Sequence, residues 1–145
     1  MDEPLVSAYM TPDPVTLSPE DSLLEALETM RLRGIRHFPV TVAGVLVGLV
    51  TEGDLKRAEP STLTDSEEDF NRVMEGTSIS RIMIQNPVTV TPETPLQEAA
   101  ETVHGTKYGA LPVVSGGKLV GILTDNDLIH ALVVLLREAK PVQSA

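Results

Sequence analysis

Two heptapeptides of one kind stand 73 positions apart, Gly48-Leu49-Val50-Thr51-Glu52-Gly53-Asp54 and Gly121-Ile122-Leu123-Thr124-Asp125-Asn126-Asp127. Each reads glycine, two apolar residues, threonine, two variable residues and aspartate. The apolar pair fits the end of a strand, and the Thr-x-x-Asp after it fits the start of a helix. A hydroxyl, a carboxylate and free backbone N–H groups would then surround one concave corner. The N–H groups and the hydroxyl can donate to a phosphate, while an ionised aspartate only accepts and so suits the paired hydroxyls of a ribose. The same residues also make a helix cap, with the threonine serving the backbone and the acid favouring the dipole. From the heptapeptides alone both readings stand. Gly48 and Gly121 are equally open to a plain explanation, since a glycine within a strand marks a bulge or a close backbone approach.

Few other chemistries are available. The chain has no cysteine, which removes disulfides, thiolate metal sites and cysteine nucleophiles together. Its three histidines, His37, His104 and His130, are scattered without metal-ligand spacing. No nucleophile stands beside a base, and there is no glycine-rich phosphate loop and no convergent carboxylate pair, so neither an enzyme nor a catalytic cofactor is expected. A net charge of −10, two tyrosines, two phenylalanines and no tryptophan argue against nucleic acid. No apolar run approaches the roughly 20 residues that span a bilayer, and Met1-Asp2-Glu3-Pro4 lacks the regions of a signal peptide. The expected location is the cytoplasm, away from membrane.

The elements that would position the two corners are themselves repeated. Shifting the sequence by 73 residues superposes Ser7 to Ala58 on Ser80 to Ala131 without a gap. Identities include Met10, Pro14, Val15, Thr16, Leu23, Ala26, Pro39, Val40, Gly44, Gly48, Thr51 and Asp54, each with its counterpart. Two copies of about fifty residues are each too small to be comfortably stable alone and should pack face to face. In the first, Pro14 to Leu17 is extended, and Leu23, Ala26, Leu27 and Met30 recur at helical spacing until Gly34 stops the helix. Strands follow at about Phe38 to Val42 and Leu46 to Val50, joined by a hairpin, and a second helix opens near Thr51. The second copy repeats the order with Val88 to Val90, Leu96 to Val103, Leu111 to Val114, Leu119 to Leu123 and a helix from about Asn126 to Glu138. The fold class is therefore α/β (α+β), a tandem repeat of two β-α-β-β-α motifs packed as one pseudo-twofold module. Motif one is expected at 5–58, an acidic linker with a short helix near Ser66 to Met74 at 59–78, motif two at 79–140 and a flexible tail at 141–145.

Each copy resembles a CBS motif, the unit named from cystathionine β-synthase. The marks are Met10…Pro14-Val15-Thr16, Ser22-Leu23-Leu24-Glu25-Ala26, Arg36-His37-Phe38-Pro39-Val40 and Gly48 to Asp54, with Met83…Pro87-Val88-Thr89, Leu96-Gln97-Glu98-Ala99, Leu111-Pro112-Val113 and Gly121 to Asp127. The resemblance covers nearly the whole chain. It implies a paired module that dimerises and binds adenosine-containing ligands such as AMP, ADP, ATP or S-adenosylmethionine, regulating another protein. In motif one it implies Thr51 at the phosphate, Asp54 at the ribose, and Val15, Thr16 and the backbone of Arg36, His37, Phe38 and Pro39 around adenine. In motif two the equivalents are Thr124, Asp127, Val88, Thr89 and Gly109, Ala110, Leu111 and Pro112.

The copies differ in charge. Where the first has Arg36, His37, Lys56 and Arg57, the second has Gly109, Ala110, Ile129 and His130 at the matching positions, so the first site is expected to prefer ligands that carry phosphate. The expected function is a stand-alone regulator that responds to an adenine nucleotide and signals to a protein partner in trans by linkage. The alternative is a structural or interaction dimer whose sites are vestigial. A homodimer is expected either way, because the last helix, with Leu128, Leu132, Leu135 and Leu136, is more apolar than one chain can cover.

Overall fold

The computed structural model describes residues 3–140, so the tail expected at 141–145 lies outside the described residues. The first copy contributes helix α2 (Leu23–Arg33), strands β2 (His37–Val42) and β3 (Val45–Thr51), and helix α3 (Glu52–Ala58). The second contributes α5 (Leu96–Gly105), β5 (Ala110–Ser115), β6 (Lys118–Thr124) and α6 (Asp125–Glu138). Helix α2 is bounded as its sequence requires. Ser22 caps its start by accepting from the Glu25 N–H at 3.1 Å, and Gly34, at φ +67°, ends it in the left-handed conformation that glycine adopts without cost. The hairpins turn on two residues each, Ala43-Gly44 and Gly116-Gly117, all at positive φ. Between the copies, α4 (Glu67–Gly76) starts from a Ser66 cap, keeps Glu67, Glu68 and Asp69 in solvent, and buries Met74 in the first core.

The opening extended segment of each copy is reduced to one parallel bridge, Leu17 to Val40 and Val90 to Val113. The carbonyls of Pro39 and Pro112 hold these segments, accepting from the Leu17 N–H at 3.0 Å and the Val90 N–H at 3.1 Å. A proline fits there because β2 and β5 are edge strands and need no ladder donor at that position.

The third strand of each sheet comes from the other copy. The sheets run β2-β3-β4 and β1-β6-β5, where β1 is Thr11–Pro12 and β4 is Ile84–Gln85. Strand β1 pairs antiparallel with β6 (Thr11 to Ile122, Pro12 to Gly121), and β4 pairs with β3 (Gly48 to Gln85, Leu49 to Ile84). The cores follow the same exchange. Val6, in the short helix α1 (Val6–Tyr9), is wholly buried with Leu96, Leu111, Val113 and Leu123, while Ile79 is buried with Leu27, Phe38, Val50 and Leu55. A small third cluster of Leu49, Ala110 and Ile122, flanked by Ile84 and Tyr108, joins the two sheets. Burying apolar surface across that seam holds the two heptapeptide corners at one interface.

Candidate functional site

Both Thr-x-x-Asp corners form reciprocal capping boxes. Thr51 Oγ1 accepts from the Asp54 N–H at 3.2 Å, and Asp54 Oδ2 accepts from the Thr51 N–H at 2.9 Å. Thr124 and Asp127 repeat the pair at 3.2 and 2.9 Å. Each carboxylate takes a further, different donor. Asp54 Oδ1 accepts from Arg57 Nη2 at 2.6 Å, whereas Asp127 accepts from the Thr11 hydroxyl, at 3.1 Å on Oδ1 and 3.3 Å on Oδ2.

Two cavities open along the seam, and each is built from both copies. The larger, of about 500 Å³, sets Thr51, Asp54 and Arg57 of the first copy against Ile84, Lys107, Tyr108 and Asp125 of the second, with Arg36 and His37 between. The smaller, of about 320 Å³, sets Thr124, Asp125 and Asn126 against Thr11, Asp13, Val15 and Ile35, again with Arg36 and His37. Arg36, His37 and Asp125 therefore line both. In the larger cavity three cations, Arg36, Arg57 and Lys107, stand among Glu52, Asp54 and Asp125; in the smaller, Arg36 faces Asp13 and Asp125.

His37 sits at the centre of the seam. Burial pushes its imidazole below the usual value; the Asp125 carboxylate opposes that, the Arg36 guanidinium adds to it, and the Tyr108 backbone and Glu52 oppose it more weakly. Gly109 lies against it. At φ +68°, with a Cβ position only 3.4 Å from both Asp125 Oδ2 and His37 Nε2, Gly109 occupies a place where a side chain would be strained. Its carbonyl accepts from the Asp125 N–H at 2.8 Å, as the Arg36 carbonyl accepts from the Glu52 N–H at 2.8 Å.

The sixteen residues singled out from the sequence fall into distinct places. Thr51, Asp54, Arg36 and His37 share the larger cavity, and Val15 and Thr124 share the smaller, so Val15 is brought to the second copy's threonine and not to its own. Asp127 borders the smaller cavity through Thr11. Phe38 and Leu111 are fully buried core residues, Ala110 is sealed between the sheets, and Pro39 and Pro112 are buried in their strands. Thr16 and Val88 are exposed and line neither cavity, and Thr89 opens on a separate depression beside the hairpins. Of the basic residues outside this set, Lys56 pairs with Glu52 at 3.7 Å and Arg31 with Glu59 at 3.3 Å, both on the surface. The sequence reading missed Ile84, Lys107, Tyr108 and Asp125, and Thr11, Asp13 and Ile35. The repeat offset carried a signal for two of them, since Lys107 and Tyr108 stand opposite Gly34 and Ile35 just before the pocket strands.

Comparison with known proteins bears on these clefts. The family model described as CBS domain matches twice, at residues 6–61 and 79–134. A CBS domain-containing protein of Dictyostelium discoideum is 34% identical over 94% of the chain and 97% of its own length. An inosine-5'-monophosphate dehydrogenase of Korarchaeum cryptofilum is 37% identical over 85% of the chain, which spans only 23% of that enzyme. The CBS-pair protein CBSX2 of Arabidopsis thaliana superposes with a TM-score of 0.79 at 29% identity, covering 94% of this chain and 99% of that one. CBSX2 in complex with AMP superposes at 0.76, with 30% identity and coverage of 92% and 98%.

Proposed function

Since the chain belongs to the CBS domain family, we propose that it is a non-catalytic regulatory module that takes an adenosine-containing ligand in the clefts between its two copies and signals to a protein partner in trans. The observation that carries this reading is the cavity of about 500 Å³ in which Thr51 and Asp54 of one copy face Lys107 and Tyr108 of the other. Its size fits a mononucleotide-sized ligand. A diol has an acceptor in Asp54, a phosphate has Arg36, Arg57 and Lys107, and an adenine ring has Tyr108 and Ile84 to pack on. AMP in CBSX2 supports the choice of ligand class. The cation count supports phosphate at this cleft over the smaller one, where a less charged adenosine compound fits better. Because both cavities span the seam, a ligand bound there would favour one relative packing of the copies over another, and a partner would read that difference. Calorimetric titration of AMP, ADP, ATP, S-adenosylmethionine and adenosine into the purified protein tests the reading; absence of binding by all five would overturn it.

One observation favours the alternative of a structural dimer with vestigial sites. Both Thr-x-x-Asp pairs are already engaged in capping boxes, which accounts for their residue types without any ligand. In either reading we propose a homodimer formed through α6, where Ile129, Leu132, Val133 and Leu136 are exposed beside an apolar groove of about 420 Å³ lined by Leu96, Leu128 and Leu135. A monomeric mass by light scattering at micromolar concentration would count against it. Among the described residues, no helix is long and apolar enough to cross a membrane.

A further inference from the structure

Asp54, the residue proposed to receive a ribose, is closed by a cation from its own helix. Its Oδ2 is held inside the corner by the Thr51 N–H and hydroxyl, each at 2.9 Å. Its Oδ1, the oxygen not used by the cap, carries Arg57 at 2.6 Å. The Asp54 side chain is 13% exposed and the Arg57 side chain 73%, so the pair is lopsided: the acid is held in its corner and the base can leave. Gly53 leaves room for the folded-back position: a Cβ there would come within 3.1 Å of Arg57 Nη1 and crowd the guanidinium. The second copy has no such arrangement. Asn126 and His130 stand where Gly53 and Arg57 would be, the His130 ring meets Tyr9 edge-on at 6.3 Å, and Asp127 is satisfied by a neutral hydroxyl from Thr11.

We infer that Arg57 is the specificity-determining residue of the larger cavity, a latch on Asp54 that selects nucleoside phosphates against free nucleosides. This rests on the functional reading above. A ribose diol donates two hydrogen bonds; with both acceptor positions of Oδ2 taken by Thr51 and one of Oδ1 taken by Arg57, Asp54 can receive both hydroxyls only once the guanidinium moves aside. A bare nucleoside then leaves Arg57 without its carboxylate. A nucleoside phosphate supplies a new partner in the same cavity, so the guanidinium exchanges a carboxylate for a phosphate and loses little. The exchange involves no covalent step and a single residue. It therefore raises discrimination by penalising the wrong ligand as well as by attracting the right one.

The experiment compares AMP and adenosine by calorimetry on the full chain and on two variants, with thermal unfolding as a check of folding. Arg57→Gln should weaken AMP about tenfold and tighten adenosine several-fold. Gly53→Ala keeps the cation but crowds its folded-back position; it should tighten adenosine while leaving AMP within about twofold of the parent. Equal loss of both ligands in Arg57→Gln, or adenosine affinity unmoved in both variants, would overturn the latch while leaving the cavity's function intact. A parent that binds neither AMP nor adenosine would overturn the latch, and the functional reading falls with it only if ADP, ATP and S-adenosylmethionine fail to bind as well.

Discussion

The hydroxyl of Thr11 donates to the Asp127 carboxylate at 3.1 Å, although the two residues lie 116 positions apart and in different copies. The contact is exposed, so Thr11→Val should cost under about 1 kcal/mol, the range of one solvent-accessible hydrogen bond. Asp127→Ala removes the capping box as well and should cost about 1–2 kcal/mol. Urea midpoints for the two variants check this; a Thr11→Val cost as large as that of Asp127→Ala would show that the contact across the seam outweighs the cap.

Asp54→Ala separates recognition from capping. Loss of the cap should lower stability by about 0.5–2 kcal/mol with or without ligand. Loss of the ribose acceptor should weaken AMP far more than that stability change accounts for, while the fold survives. An Asp54→Ala protein that binds AMP like the parent would leave the aspartate with a capping role alone.

Gly48 and Gly121 answer to a close approach of chain. A Cβ on Gly48 would fall 2.5 Å from Met83 Sδ and 3.0 Å from the Ile84 carbonyl; on Gly121, 2.7 Å from Met10 Sδ and 3.0 Å from the Thr11 carbonyl. Alanine at either position must push the exchanged strand away and should cost roughly 1–3 kcal/mol, as overpacking does. Equilibrium unfolding that finds both variants as stable as the parent would contradict this packing.

His37 makes stability depend on pH in a definite direction. Its folded value is held below the ordinary one, so the unfolded chain takes up the proton first as pH falls. The contribution is fully present above about pH 6.5 and is lost as the pH drops through the folded value. His37→Gln should flatten the stability profile in that window, measured as unfolding midpoints between pH 5 and 7. A slope unchanged by the substitution would assign the dependence to other groups.

Arg36 lines both cavities, so Arg36→Ala should weaken AMP binding more than adenosine binding, and the difference should shrink as salt rises. Titrations at low and high ionic strength test it. AMP and adenosine affected alike would remove the guanidinium from phosphate recognition.

Much of this architecture was legible in the residues, and the part that was not has a physical cause. Helices α2 and α5 announce themselves by apolar spacing, the Ser22, Thr51, Ser66 and Thr124 caps by residue type, and the hairpins by Gly44 and Gly117. These are local signals. The exchanged strands Thr11–Pro12 and Ile84–Gln85 are two residues long, too short for any period, and their pairing is fixed by distant partners, Leu49 for Ile84 and Ile122 for Thr11. For the same reason the copy-by-copy grouping of site residues placed Val15 with Thr51, whereas the fold sets it beside Thr124. The repeat offset locates the charge asymmetry at Arg36, His37, Lys56 and Arg57 against Gly109, Ala110, Ile129 and His130; Lys107, two residues before Gly109, supplies a cation to the first copy's cavity from the second copy, which a copy-by-copy comparison does not show.

The exchange of segments also dictates an order of events during synthesis. Val6, wholly buried at the end, leaves the ribosome early, yet its shelter of Leu111 and Leu123 is made more than a hundred residues later. The first core in turn stays open until Ile79 has been added. Neither copy can close as an independent unit on the growing chain, so the nascent protein carries exposed apolar surface until β6 emerges. Cutting the gene between the repeats would yield two fragments that each lack a strand and a core residue held by the other.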